Sequence, residues 1–141
     1  MAAAFPERWR AGLLACPLGI RRLACGGHLA LIALLSLMPA WLFPPSDVSI
    51  PGVDKIVHLA MYGWLGVLLR WEASREGGRT AGNGHLTGAI GYGLLMEVLQ
   101  LLVGGGRMFS WGDAAANAAG VLLFWVGAGW LFAVPKSSGA G

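Results

Sequence analysis

Residues 121–132 read "VLLFWVGAGWLF". The stretch carries no charge and no alternation of apolar with polar residues. Residues 29–38, "LALIALLSLM", have the same character. A strand of a membrane barrel alternates over about ten residues, and these stretches do not. They read as helices, because hydrocarbon offers no water to a backbone that is not bonded within its own segment. Two further stretches resemble them, which gives four windows: Leu23 to Phe43, Ile56 to Trp71, Leu86 to Val103 and Ala114 to Val134. At helical rise they span roughly 24 to 32 Å, close to the thickness of a hydrocarbon core. The second is short and needs its flanks.

Composition agrees. The chain has 141 residues, of which 56% are hydrophobic and 12% charged, with a mean hydropathy of +0.63. Soluble domains carry about 25% charged residues. The expectation is an all-α membrane protein: one domain of four transmembrane helices in a compact bundle, spanning residues 23–134. Residues 1–22 are then a cytoplasmic or interfacial lead-in, and 135–141 a disordered cytoplasmic tail. "LLAC" at 13–16 resembles a lipoprotein cleavage box, but the apolar run before Cys16 is too short for a signal core.

Basic residues accumulate in cytoplasmic loops of membrane proteins. With four spans and both termini inside, Arg8, Arg10, Arg21, Arg22, Arg70, Arg75, Arg79 and Lys136 face the cytoplasm, and only Lys55 and Arg107 face outward. That bias sets the orientation and predicts a multi-pass protein of the inner (plasma) membrane. It also accounts for the net charge of +3 without nucleic acid as a partner. Arg21 and Arg22 are expected at the membrane surface, and His28 and His85 in solvent at the inner ends of spans. Cys16 and Cys25 fall on the reducing side, where no disulfide is expected. Prolines 44 and 45 are expected to stop the first helix. The segment from Glu72 to His85 reads as a flexible hairpin. Tryptophans 9, 41, 71 and 111 lie near span ends, as interfacial anchors do.

Polar side chains are distributed unevenly. Asp54, His58 and Tyr62 recur every four residues at the outer end of the second span. Glu97 and Gln100 lie three apart in the outer half of the third, and Asp113 and Asn117 four apart at the outer end of the fourth. Arg107 lies in the loop between the last two spans. Spacings of three and four place side chains on one helical face. The six residues Asp54, His58, Glu97, Gln100, Asp113 and Asn117 are therefore expected to converge in the outer half of the bundle. Arg107 is expected to neutralise a carboxylate there, Glu97 first and Asp113 or Asp54 as alternatives, with Asp113 also placed to cap the last helix. Ala116 and Gly120 offer a small-residue face for close helix packing.

Three readings of this cluster stay open. It is an internal network that fixes helix register, a pocket for a ligand or cation, or a catalytic site in which His58 and Glu97 exchange a proton. No HExxH or DxD spacing is present, and neither a metal nor a cofactor is expected from any motif.

"VDKIVHLAMYGWLG", "EVLQ" and "GRMFSWGDAAANAAG" occur in that order. Together they resemble the VanZ-like family of bacterial membrane proteins. In that family an Asp-Lys-x-x-His…Tyr segment opens one transmembrane helix, a Glu-x-x-Gln segment closes the next, and a Gly-Arg…Asp…Asn-x-x-Gly segment leads into the last. The resemblance covers roughly residues 29 to 133. It reaches Asp54, Lys55, His58, Tyr62, Glu97, Gln100, Arg107, Asp113, Asn117 and Gly120. The founding member is associated with low-level resistance to teicoplanin, a lipoglycopeptide. The resemblance thus implies a cell-envelope lipid or lipoglycopeptide as partner and a contribution to glycopeptide resistance. It implies no established reaction.

Overall fold

The computed structural model describes residues 7–42, 52–74, 79–103 and 108–132. These form five α-helices, α1 (Glu7–Ala15), α2 (Leu18–Leu37), α3 (Val53–Ala73), α4 (Arg79–Val103) and α5 (Trp111–Phe132), with one 3-10 turn at Ala40–Leu42 and no strand among them. Three helical stretches are long and apolar enough to cross a membrane: Leu18–Leu37, Asn83–Val103 and Trp111–Phe132. Helix α3 matches them in length at 21 residues, but carries Asp54 and Lys55 at one end and Arg70 and Glu72 at the other.

Prolines set the first boundaries. Pro17 breaks α1 from α2. Pro39 ends α2 by holding Met38 extended (φ −64°, ψ 130°), as a residue before proline prefers. The first apolar helix therefore runs Leu18–Leu37 rather than from Leu23 to Phe43. Pro44 and Pro45 lie outside the described residues. Helix α4 begins at Arg79, so the second half of the stretch read as a flexible hairpin is helical. There Thr87 Oγ1 donates back to the carbonyl of Asn83 (2.9 Å).

Helix α3 is the centre of the bundle. It packs on α2, α4 and most closely on α5. Glycines make that last contact. A Cβ on Gly120 would collide with the Leu59 carbonyl, and one on Gly66 would lie 2.6 Å from the Val121 carbonyl. Without side chains at these positions the two backbones touch, and dispersion replaces a hydrophobic drive that lipid cannot supply. The faces are helical in period. Met96, Glu97 and Gln100 of α4 are buried together, as are Ala114, Asn117, Val121 and Trp125 of α5. The reverse faces present Leu23, Leu102, Leu123 and Trp130 outward. Apolar groups thus line the outside while Arg21, Ser36, Glu97, Gln100 and Asn117 lie inside, the arrangement that a hydrocarbon surrounding favours.

Arg21 does not lie at the surface. It is fully buried where α1 ends, α2 begins and α3 ends. Its Nε donates to the Cys16 carbonyl (3.1 Å), and Nη2 donates to those of Leu13 and Leu14 (3.1 and 2.7 Å). Nη1 donates to the Trp71 carbonyl (2.6 Å) and to Ser74 Oγ (2.9 Å). The guanidinium also lies 5.2 Å from the centre of the Trp71 ring. The last carbonyls of a helix lack internal partners and form the negative end of its dipole. Two such ends meet here, and a planar fork of N–H groups satisfies both. Beside it Arg22 Nε donates to Glu72 (3.0 Å), and His85 Nε2 lies 3.6 Å from the same carboxylate. His85 also stacks on Trp125, and His28 Nε2 lies 2.9 Å from the Met61 carbonyl. Neither histidine is simply solvated, because both sit on helix faces that turn inward.

The glycine contact yields a direct test. Gly120→Ala is expected to cost about 1–3 kcal/mol through overpacking and to lower the thermal midpoint in detergent. Gly127→Ala, where an added Cβ meets nothing within 4 Å, is expected to leave it unchanged.

Candidate functional site

Where α3 begins, α4 ends and α5 begins, polar side chains from the three helices meet. His58 and Asn117 are held opposite each other by the glycine crossing, and His58 Nδ1 donates to Asn117 Oδ1 (3.0 Å). Glu97, 1% exposed, faces the same ring, with Oε1 3.8 Å from His58 Nδ1. Its other oxygen, Oε2, accepts from the Ser110 backbone N–H (3.3 Å). Asp113, partly buried, accepts from Lys55 Nζ (3.1 Å), which also donates to Asp54 (2.9 Å).

Helix α5 starts earlier than its apolar run suggests, and this changes its cap. Asp113 N–H donates to Ser110 Oγ (3.2 Å). Ser110 is therefore the N-cap, and Asp113 sits in the first turn, where a carboxylate favours the positive end of the dipole. The expectation that Asp113 itself caps the helix is corrected accordingly. Its carboxylate is left to Lys55 and to the cluster.

Not every expected member joins. Asp54 has a side chain 55% exposed and does not face the interior. Four residues overshoot a turn by about 40°. The stripe from Tyr62 through His58 to Asp54 therefore winds from the core to the surface. Gln100 is buried but turns to another partner: Nε2 donates to the Ser36 carbonyl of α2 (3.0 Å). It ties α2 to α4 and stands apart from the His58 group. Arg107, and with it the expected pairing to Glu97, lies outside the described residues.

Three buried polar atoms around this group make no hydrogen bond of full geometry among the described residues: Tyr62 OH, Glu97 Oε1 and Asn117 Nδ2. Tyr62 and Asn117 both border Gly93 of α4, where a Cβ would lie 3.2 Å from the Tyr62 ring and 3.2 Å from Asn117 Cβ. A ring nitrogen of His58 and one carboxylate oxygen each from Glu97 and Asp113 all lie within 4.8 Å of one another. Buried polar groups are normally paired, so these three atoms, one from each helix, are exceptions. Arg21 and Ser110 were missed by sequence reasoning. A serine three residues before Asp113 was a capping signal, and Pro17 followed by Leu-Gly-Ile-Arg-Arg marked a helix start.

A model of the family described as VanZ/LLP1 matches residues 27–132. No curated protein and no solved structure matches the chain.

Burial separates the members of the cluster experimentally. Glu97→Ala leaves His58 and the Ser110 N–H without their carboxylate and is expected to lower the melting temperature in detergent clearly. Asp54→Ala removes only an exposed ion pair, of a kind that contributes little, and is expected to leave the melting temperature in place.

Proposed function

The chain belongs to the VanZ/LLP1 family, and we propose that it is a four-span inner-membrane protein that binds the polar head of a cell-envelope amphiphile. The pocket is the His58–Glu97–Asn117 group with Asp113, Lys55 and Tyr62 around it. One observation carries this reading: Tyr62 OH, Glu97 Oε1 and Asn117 Nδ2, buried on α3, α4 and α5, make no hydrogen bond of full geometry among the described residues. A network that served only helix register would have paired them, since an unmet buried donor or acceptor costs about 1–3 kcal/mol. The locus lies about two turns from the helix ends, a depth that a lipid or lipoglycopeptide head group reaches from the outer leaflet. Lys55 supplies a positive rim suited to an anionic head. The family resemblance supports a contribution to teicoplanin resistance.

In this reading α3 is the fourth crossing. Between Lys55 and Arg70 its side chains are apolar apart from His58 and Tyr62. The charged ends reach the interfaces, as long basic side chains do. Both termini are then cytoplasmic. With Asp47→Cys and Arg79→Cys, an impermeant maleimide is expected to label the first in intact cells and the second only after permeabilisation. The reverse pattern excludes an outward pocket.

Binding is tested on the full chain in nanodiscs by calorimetric titration with teicoplanin and with a short-chain phosphatidylglycerol. Saturable binding of either is expected, lost in Glu97→Ala and retained in Asp54→Ala. If neither probe binds, the reading fails. The approach of His58 to Glu97 (3.8 Å) favours one alternative, acid–base chemistry on the same lipid. A chemically altered lipid product, lost in His58→Ala while binding persists, would establish that alternative over simple binding.

A further inference from the structure

We infer that His58, Glu97 and Asp113 form a binding site for a divalent transition-metal cation, and that this cation is what holds the anionic head group. The inference rests on the reading of the cluster as a head-group pocket and adds the element that completes it.

The donor set comes first. An imidazole nitrogen and two carboxylate oxygens, from three different helices, lie within 4.8 Å of one another. Ligands around one such ion, each at about 2.0–2.2 Å, stand about 3 to 4 Å apart. Closure therefore needs only small side-chain movements. Mixed nitrogen and oxygen donors without sulfur suit Zn²⁺ or Mn²⁺.

The second observation points to a ligand independently of the spacing. Glu97 is almost wholly buried, and its Oε1 faces His58 Nδ1 at 3.8 Å and meets the Asn117 amide without a hydrogen bond of full geometry. A carboxylate oxygen that is incompletely hydrogen-bonded is costly away from water. A cation at this locus would provide the missing contact. Its other oxygen is already fixed by the Ser110 N–H, which leaves Oε1 as the free donor. Asn117 Oδ1 holds the His58 ring, the outer-shell role that orients metal-bound histidines.

Charge balance agrees. Among the described residues that face the locus, the carboxylates of Glu97 and Asp113 outnumber the one cation in contact with them, Lys55. A divalent cation would offset that excess of negative charge. Three protein ligands leave an open coordination position, and an anionic oxygen of a lipid head would occupy it. Lys55, held between Asp54 and Asp113, would meet the same head group from the rim.

The test uses the purified full chain, stripped with EDTA and titrated with Mn²⁺ while the free-ion EPR signal is followed. One ion per chain is expected, with a ¹⁴N coupling in pulsed EPR that vanishes in His58→Gln. Glu97→Gln and Asp113→Asn, similar in size to the residues they replace, are each expected to abolish or greatly weaken binding. Asn117→Ala is expected to weaken it about 10- to 100-fold. Glu72→Gln, in the other carboxylate–histidine pair beside Arg21, is expected to bind as the wild type does. A Mn²⁺-dependent rise in the wild-type melting temperature is read in parallel and needs no variant to fold. No binding at millimolar Mn²⁺ by the folded wild type overturns the inference, as does binding that survives Glu97→Gln. Lipid or teicoplanin binding that persists in EDTA would overturn the cation's role and leave the pocket standing. Mn²⁺ binding without either amphiphile would leave the cation site standing and overturn the pocket's proposed ligand.

Discussion

The backbone contact between α3 and α5 is the constraint from which the rest follows. Gly120 lies against the Leu59 carbonyl, and Gly66 against that of Val121. Any side chain at these points would push the helices apart. Helices that touch at their glycines bring the next residues along each face to hydrogen-bond distance. His58, one residue before Leu59, and Asn117, three before Gly120, are such a pair. Helix α4 then lies over the crossing through Gly93 and closes Glu97 onto the histidine. The polar group is therefore a product of packing geometry.

Much of this was legible in the sequence, for a physical reason. Lipid removes the choice between helix and irregular chain, so apolar runs give helices with little ambiguity, and four of the five helices correspond to the four windows. Periodicity also told which faces turn inward on α4 and α5. It failed where a spacing of four was treated as a straight line: Asp54 winds out of the core because each such step overshoots the turn. Boundaries failed where hydrophobicity was followed past a stronger local rule. Pro39 ended α2 inside an apolar run, and Ser110 started α5 before its own began. Gln100 shared a face with Glu97 but found the Ser36 carbonyl first, a choice that depends on where α2 lies and that no spacing within α4 encodes.

The two ends of the bundle handle charge differently. At one end a carboxylate, Glu97, is buried with part of its hydrogen-bonding capacity unmet. At the other a guanidinium is buried with five acceptors around it among the described residues, four of them backbone carbonyls and the fifth Ser74 Oγ. Arginine there looked like a topology signal and nothing more. The positive-inside bias and the capping of helix ends each place basic residues at helix termini, and the sequence alone does not separate them.

That guanidinium also suggests an order of assembly. Its partners at Leu13, Leu14 and Cys16 come from the chain just ahead of it, and are available as soon as α1 and the start of α2 have left the ribosome. Its partners at Trp71 and Ser74 are made some fifty residues later. An α1–α2 elbow can therefore bond the charge to its own backbone before the end of α3 is made. Correct docking of the central helix would then be checked at its last turn, after the whole of α3 has been synthesised and before α4 and α5 arrive to enclose it.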